Sequence, residues 1–191
     1  MPPQQQRTHR RHHRCAQPSA PALVVLGGLP ATGKSAVADQ LCRDATWAWV
    51  RIDSIEQALR DSGEMGPGGV QGAGYAVGYA VAGDLLRSGL SVVAECVNPI
   101  GLTRAAWREV ARVHGADLLE VELWCQDPQV HRCRAESRAV DIPGLVLPAW
   151  EEICGRVYEP WRDADLRIDT CAVSPAEAAG LIRSAVRAQA D

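Results

Sequence analysis

The chain has 191 residues, 47% of them apolar, with a formal net charge of −3, which suits one globular domain with a real core and excludes an intrinsically disordered chain. No apolar run reaches the roughly 18 residues of a membrane span, so no membrane partner is expected. The charge is uneven: residues 1–21 carry Arg7, Arg10, Arg11 and Arg14 and no acid, leaving the rest at −7, and an acidic body argues against a nucleic-acid partner, because phosphate contacts dominate that kind of affinity.

Residues 1–21 read as a disordered basic arm, rich in Pro, Gln, Arg and His and without the apolar core of a secretory signal. Residues 22–191 read as one domain in which strand and helix signals alternate. Ala22–Gly27 is a continuous apolar run of strand length, as in a parallel strand buried on both faces. Lys34–Asp44 has helical spacing. Trp47–Asp53 is a second strand and Ser54–Arg60 a short helix. Gly63–Gly74, with six glycines and a proline, is a loop. Tyr75–Ser88 is helical, Ser91–Cys96 a third strand, Leu102–His114 an amphipathic helix and Leu118–Cys125 a fourth strand. Pro128–Arg138 is a helix, followed by a Pro/Gly-containing segment at 141–148 and a short helix over Ala149–Tyr158. Leu166–Asp169 is a fifth strand, and Pro175–Ala188 closes the chain as a helix. The alternation predicts an α/β fold: a doubly wound, five-stranded parallel sheet between two layers of helices.

Gly28-Leu29-Pro30-Ala31-Thr32-Gly33-Lys34-Ser35 fits G-x-x-x-x-G-K-[ST] between a strand and a helix. Its glycines let backbone N–H groups turn inward as an anion nest, and the helix N-terminus adds its positive end. Lys34 is placed to reach the β- and γ-phosphates of ATP and Ser35 to ligate Mg²⁺. The chain holds nineteen arginines and one lysine, and that lysine is Lys34. An ammonium is a compact point charge and a guanidinium a wide fork; only the first fits a cradle of backbone amides. With no second lysine there is no N-K-x-D base-reading motif, which argues against a Ras-like GTPase. The seven cysteines are odd in number, scattered and without a C-x-x-C pair. They read as small buried hydrophobes in a reducing, cytoplasmic setting. His131 and Cys133 could touch a metal but lack further partners in the sequence.

The P-loop, Asp53 at the end of strand two (VRIDSI), the basic helix HRCRAESR and Tyr158-Glu159-Pro160 together resemble the small P-loop kinases. That group includes chloramphenicol phosphotransferase and, more distantly, shikimate, gluconate and adenylylsulfate kinases. The resemblance covers roughly residues 22–188. It implies that Asp53 accepts the proton of an acceptor hydroxyl; Asp53 also fits a capping box with Glu56, as a helix cap and nothing more. It implies a Mg²⁺-holding, Walker-B-type position for Glu95, which otherwise is a polar residue leaving a strand end. Arg134 and Arg138, four apart on one helix face, correspond to arginines that touch adenine and clamp the transferring phosphoryl group. The alternative is a solvated face paired with Glu136 and Asp141.

Ligands of doubly wound folds bind beyond the carboxyl ends of the strands. That makes Arg60, Tyr75, Tyr79, Asn98 and Arg104 candidate contacts for the acceptor, with core packing the alternative for the tyrosines. The expectation is a cytoplasmic kinase that uses ATP and Mg²⁺ on a small-molecule hydroxyl substrate. A polynucleotide or nucleoside 5′-kinase, or a nucleotide-binding switch without an acceptor, stands as the alternative.

Overall fold

The computed structural model describes residues 20–43, 47–64 and 72–190. The expected basic arm, apart from its last two residues, and most of the glycine-rich loop lie outside the described residues.

Twelve elements follow in order: β1 (Ala22–Gly27), α1 (Lys34–Arg43), β2 (Trp47–Arg51), α2 (Ile52–Asp61), α3 (Ala73–Arg87), β3 (Ser91–Glu95), α4 (Gly101–His114), β4 (Asp117–Trp124), α5 (Pro128–Ser137), α6 (Trp150–Cys154), β5 (Leu166–Asp169) and α7 (Pro175–Ala190). The strands form one parallel sheet in the order β2-β3-β1-β4-β5. β1 lies at its centre and is buried along its whole length, which explains why its sequence is an unbroken apolar run.

Alternation along the strands divides the core in two. Val24, Leu26, Val93, Val121 and Leu123 face α1 and α7, meeting Val37, Leu41, Ala178 and Ile182. Leu23, Val25, Val92 and Ala94 face the other way, toward Ala82, Leu86, Trp107 and Ala111 of α3 and α4. Each layer buries an apolar helix face, and burial at about 25 cal/mol per Å² of apolar surface is the main favourable contribution to the fold.

Several boundaries differ from expectation for a local reason. β2 ends at Arg51, and helical backbone starts at Ile52, because Ile52 is buried against α3 and α4 and turns the chain there. Asp53 therefore lies inside the first turn of α2. Arg51 occupies the cap position and makes no side-chain cap hydrogen bond. The capping-box reading of Asp53 and Glu56 fails; Glu56 pairs with Arg60 one turn on. The helix expected over 149–158 stops at Cys154, and Gly155 follows as its C-cap.

Candidate nucleotide and phosphoryl-transfer site

The parallel strands end together at one edge of the sheet, and a cavity of about 1030 Å³ opens there. The loop between β1 and α1 forms its floor. Gly28 (φ 142°) and Gly33 (φ 91°) take backbone conformations that side chains resist, and Ala31 (φ 65°) is held in the left-handed region. A Cβ on Gly28 would stand 2.1 Å from the carbonyl oxygen of Leu123. The Gly28 N–H donates to the Val97 carbonyl at 3.0 Å, and Thr32 Oγ1 donates to the Leu29 carbonyl at 2.9 Å. Pro30, Ala31, Gly33, Lys34 and Ser35 line the cavity. Gly28, Leu29 and Thr32 stand behind that surface and shape the loop.

Lys34 is buried at the start of α1 and donates from Nζ to the carbonyls of Gly28 and Leu29, both at 2.8 Å. Burial lowers its pKa, against the pull of Glu95 and Asp53. Glu95 closes β3 directly alongside the loop. Its Oε1 accepts from Ser35 Oγ at 2.5 Å and its Oε2 from Trp49 Nε1 at 3.0 Å. Burial pushes the Glu95 carboxyl above the ordinary range, with Lys34, Ser35 and Arg51 acting in the opposite direction. A serine hydroxyl and a carboxylate side by side beneath a phosphate cradle form an oxygen donor set that suits Mg²⁺, which commonly takes one or two protein ligands and completes its shell with phosphate and water.

Arg51 was not singled out by its sequence. It is registered opposite Glu95 in the β2–β3 pairing, so its guanidinium reaches Ser35 Oγ (3.2 Å) and Glu95 Oε2 (3.5 Å), while donating to both oxygens of Asp141 at 2.6 and 3.1 Å. It joins Glu95 to the segment after α5. The signal that finds Arg51 is strand register, which requires the pairing to be known.

α5 is capped by Asp127, whose Oδ1 accepts from the N–H groups of Gln129 and Val130, and Pro128 supplies a pre-set first turn. His131 is buried, donates from Nε2 to the Pro30 carbonyl at 2.8 Å and meets Trp150 edge to face. Its ring therefore serves packing, and the metal reading of His131 and Cys133 has no support here. Arg134 donates to Thr170 Oγ1 and the Thr170 carbonyl, both at 2.9 Å. Arg138 sits at the C-cap, where the backbone leaves helix for an extended conformation. Both arginines line the cavity. The solvated-face pairing does not describe them: Glu136 pairs with Arg132 and Asp141 with Arg51. Arg138 Nε is buried and has no hydrogen-bond partner among the described residues.

Asp53, Glu56, Gln57 and Arg60 of α2 form one wall, and Leu145, Val146, Leu147 and Pro148 an apolar one. Of the five expected acceptor contacts only Arg60 lines the cavity. Tyr75 accepts the Asn98 N–H at 2.9 Å and Tyr79 donates to the Thr103 carbonyl at 3.3 Å; both pack between α3 and α4, with Tyr79 edge-on to Trp107. Arg104 is buried and donates to the carbonyls of Asn98, Pro99, Glu159 and Pro160, tying the start of α4 to the Tyr158-Glu159-Pro160 segment. Asn98 is fully buried at φ 53°. These four build the scaffold under the site. Residues 144–148 of the expected Pro/Gly-containing segment line the cavity, and those that sequence reasoning passed over include Arg51, Gln57, Arg156 and 170–175, most of them in loops whose contribution depends on tertiary placement.

A phosphate-binding loop on a central parallel strand, with an acid at the end of the neighbouring strand and arginines descending from the opposite side, defines a kinase-type P-loop fold. The chain belongs to the AAA domain family, whose model matches residues 23–147. No curated protein matches it. Among solved structures, the APS kinase CysC of Mycobacterium tuberculosis, in complex with AMPPNP and APS, is similar at 22% identity and TM-score 0.66, over 89% of this chain and 99% of that one. A gluconokinase from Sinorhizobium meliloti 1021 follows at 20% identity and TM-score 0.62, over 90% and 95%. A sugar kinase from Janibacter sp. HTCC2649 matches at 14% identity and TM-score 0.65, over 90% and 99%. At these identities the likeness is one of fold.

Proposed function

We propose that this chain transfers the γ-phosphoryl group of MgATP to a hydroxyl group of a small molecule. The observation that carries the reading is that the P-loop, Glu95, Asp53 and Arg138 all face one cavity, whose volume lies at the upper end of ligand pockets and admits a donor and an acceptor together.

The P-loop amides and Lys34 hold the β- and γ-phosphates. Ser35 and Glu95 would hold Mg²⁺, which when bound neutralises charge on the phosphates. Asp53 orients the acceptor hydroxyl and takes its proton as the oxygen attacks the γ-phosphorus. The bond to the β–γ bridging oxygen breaks, and ADP leaves. Arg138, unpaired at Nε, sits where helix gives way to the covering segment and is the residue we assign to the charge on the moving phosphoryl group. Arg134, pinned by Thr170, forms a fixed wall on the nucleotide side. The apolar stretch at 145–148 suits the carbon skeleton of an organic acceptor. The free thiols suit a cytoplasmic setting.

The test is transfer from γ-labelled ATP across antibiotics, sugars, nucleosides and 5′-hydroxyl oligonucleotides, with Asp53→Asn in parallel. Labelling of one small molecule by the wild type, lost in the variant while ATP still binds, is expected. Labelling of the oligonucleotides alone assigns a 5′-kinase instead. Equal slow hydrolysis by both proteins with no acceptor labelled assigns a nucleotide switch and sinks the kinase reading.

A further inference from the structure

β4 and β5 run side by side as far as the pair Trp124 and Asp169. Beyond it both chains turn, β4 toward α5 and β5 toward α7, and the two turns are braced against each other. The Thr170 N–H and Oγ1 both donate to the Trp124 carbonyl, at 2.9 and 3.0 Å. Asp169 Oδ1 accepts from the N–H of Gln126 at 3.1 Å and from that of Cys171 at 3.0 Å. The braces bring two cysteines from 46 residues apart in sequence face to face: Cys125 Sγ lies 2.7 Å from Cys171 Sγ. Cys171 is exposed and lines the cavity, and Cys125 is half-buried behind it.

The expectation that the cysteines are small buried hydrophobes therefore holds for Cys96 and in part for Cys42, which packs against the core, and Cys133, Cys154 and Cys171 are exposed. An exposed thiol backed by a second thiol is the arrangement of a reactive cysteine with its resolving partner.

We propose that Cys125 and Cys171 are an oxidisable dithiol, which a hydroperoxide joins into an intrachain disulfide that staples the β4–α5 turn to the β5–α7 turn on the cavity wall. The Cys171 thiolate attacks the outer oxygen of the hydroperoxide, the O–O bond breaks, and an alcohol or water leaves. The resulting sulfenic acid is attacked by Cys125 sulfur; the S–O bond breaks, the S–S bond forms, and water carries off the hydroxyl with the Cys125 proton. Two thiols are oxidised and one hydroperoxide is reduced. The pair needs only a small closing motion to reach the roughly 2.0 Å of a disulfide, because both backbones are already held. Burial and the neighbouring Cys171 push the Cys125 thiol up to about 11, the Arg134 charge working against that rise and Asp169 with it, so Cys125 enters as the thiol and gives its proton to the departing hydroxyl. The staple would fix Thr170, the residue that holds Arg134, relative to α5. The chemistry stands whether or not the kinase reading does.

The experiment treats the full chain with graded hydrogen peroxide, traps free thiols in denaturant and maps the peptides. The expected result is loss of two hydrogens per chain with a Cys125–Cys171 cross-linked peptide, retained in Cys133→Ser and Cys154→Ser. It disappears in both Cys125→Ser and Cys171→Ser. As a second measurement, the reduced protein is expected to bind one equivalent of phenylarsine oxide, whose arsenic bonds to both sulfurs as water leaves, and either of those two serine variants abolishes this. Oxidation of Cys171 to sulfinic or sulfonic acid while Cys125 stays alkylatable overturns the proposal, as does arsenical binding that survives Cys125→Ser.

Discussion

Ser35 Oγ and Glu95 Oε1 share a 2.5 Å hydrogen bond between the start of α1 and the end of β3. It holds a carboxylate inside the protein whose ionisation burial opposes. A group whose folded pKa is raised contributes stability fully below its unfolded value, near 4.5, and loses it as pH rises through the folded value. Glu95→Gln, which does not titrate, is therefore expected to melt higher than wild type at pH 8 without ligand, with the margin shrinking toward pH 4.5. Its apparent Mg²⁺ affinity in nucleotide turnover is expected to fall about 10–100-fold. Thermal melts across pH and a Mg²⁺ titration check both; a variant that melts lower at pH 8 would show the carboxylate to be net stabilising there.

Asp53→Asn separates chemistry from structure. A lost general base lowers kcat by about 10²–10⁴-fold, with nucleotide affinity kept. Because Asp53 caps nothing, the stability loss should fall short of the roughly 1 kcal/mol of a missing N-cap. A loss of that size in a denaturant melt with unchanged turnover would return Asp53 to a structural role.

The architecture was readable because its signals are local: the apolar run of β1, the glycines and single lysine of the loop, and the alternation of strands with helices. Lys34, Ser35, Asp53, Glu95, Arg134 and Arg138 came together at one cavity since each sits at a strand end or on a helix whose position the motif order dictates. Tyr75, Tyr79, Asn98 and Arg104 did not. They lie near the right elements in sequence, but side-chain direction decides between cavity and core, and Arg104 turns to four carbonyls. Arg51 was passed over as an ordinary strand residue because its importance comes from register with Glu95, a contact between positions 44 residues apart in sequence.

Arg104→Met tests that correction. It removes the Arg104 donors from the carbonyls of Asn98, Glu159 and Pro160, while Pro99 keeps the Glu159 N–H, and a carbonyl left unsatisfied away from water costs about 1–3 kcal/mol. Denaturant unfolding should show a loss of about 2 kcal/mol or more, while the acceptor KM of the surviving folded enzyme stays near wild type. A selective rise in KM with stability intact would restore Arg104 to the acceptor site.

Gly27 meets Trp161 closely: a Cβ there would stand 2.4 Å from Cζ3 of the buried indole. Gly27→Ala should cost about 1–3 kcal/mol through overpacking. Trp161→Phe removes the offending atoms, so the double variant should be more stable than the two separate losses would predict, as expected of residues in contact. Additive losses in denaturant melts would place the strain elsewhere.

Asp141 is held below the ordinary aspartate range by the Arg51 guanidinium. A depressed carboxylate contributes stability above its unfolded value, near 3.8, and loses it as pH falls through the folded one. Asp141 is 59% exposed, so solvent screening limits the pair to about 1 kcal/mol at most. Asp141→Asn should show that small deficit at pH 7 and none once the pH is below both values, as read by melts at matched ionic strength.

The bond from His131 to the Pro30 carbonyl has a mechanical corollary. Helix α5 is bolted to the glycine-bearing loop between β1 and α1, so it cannot swing outward without dragging that loop with it. Past Arg138, where helical backbone gives out, the chain is fastened a second time, by Asp141 on Arg51, whose register partner is Glu95.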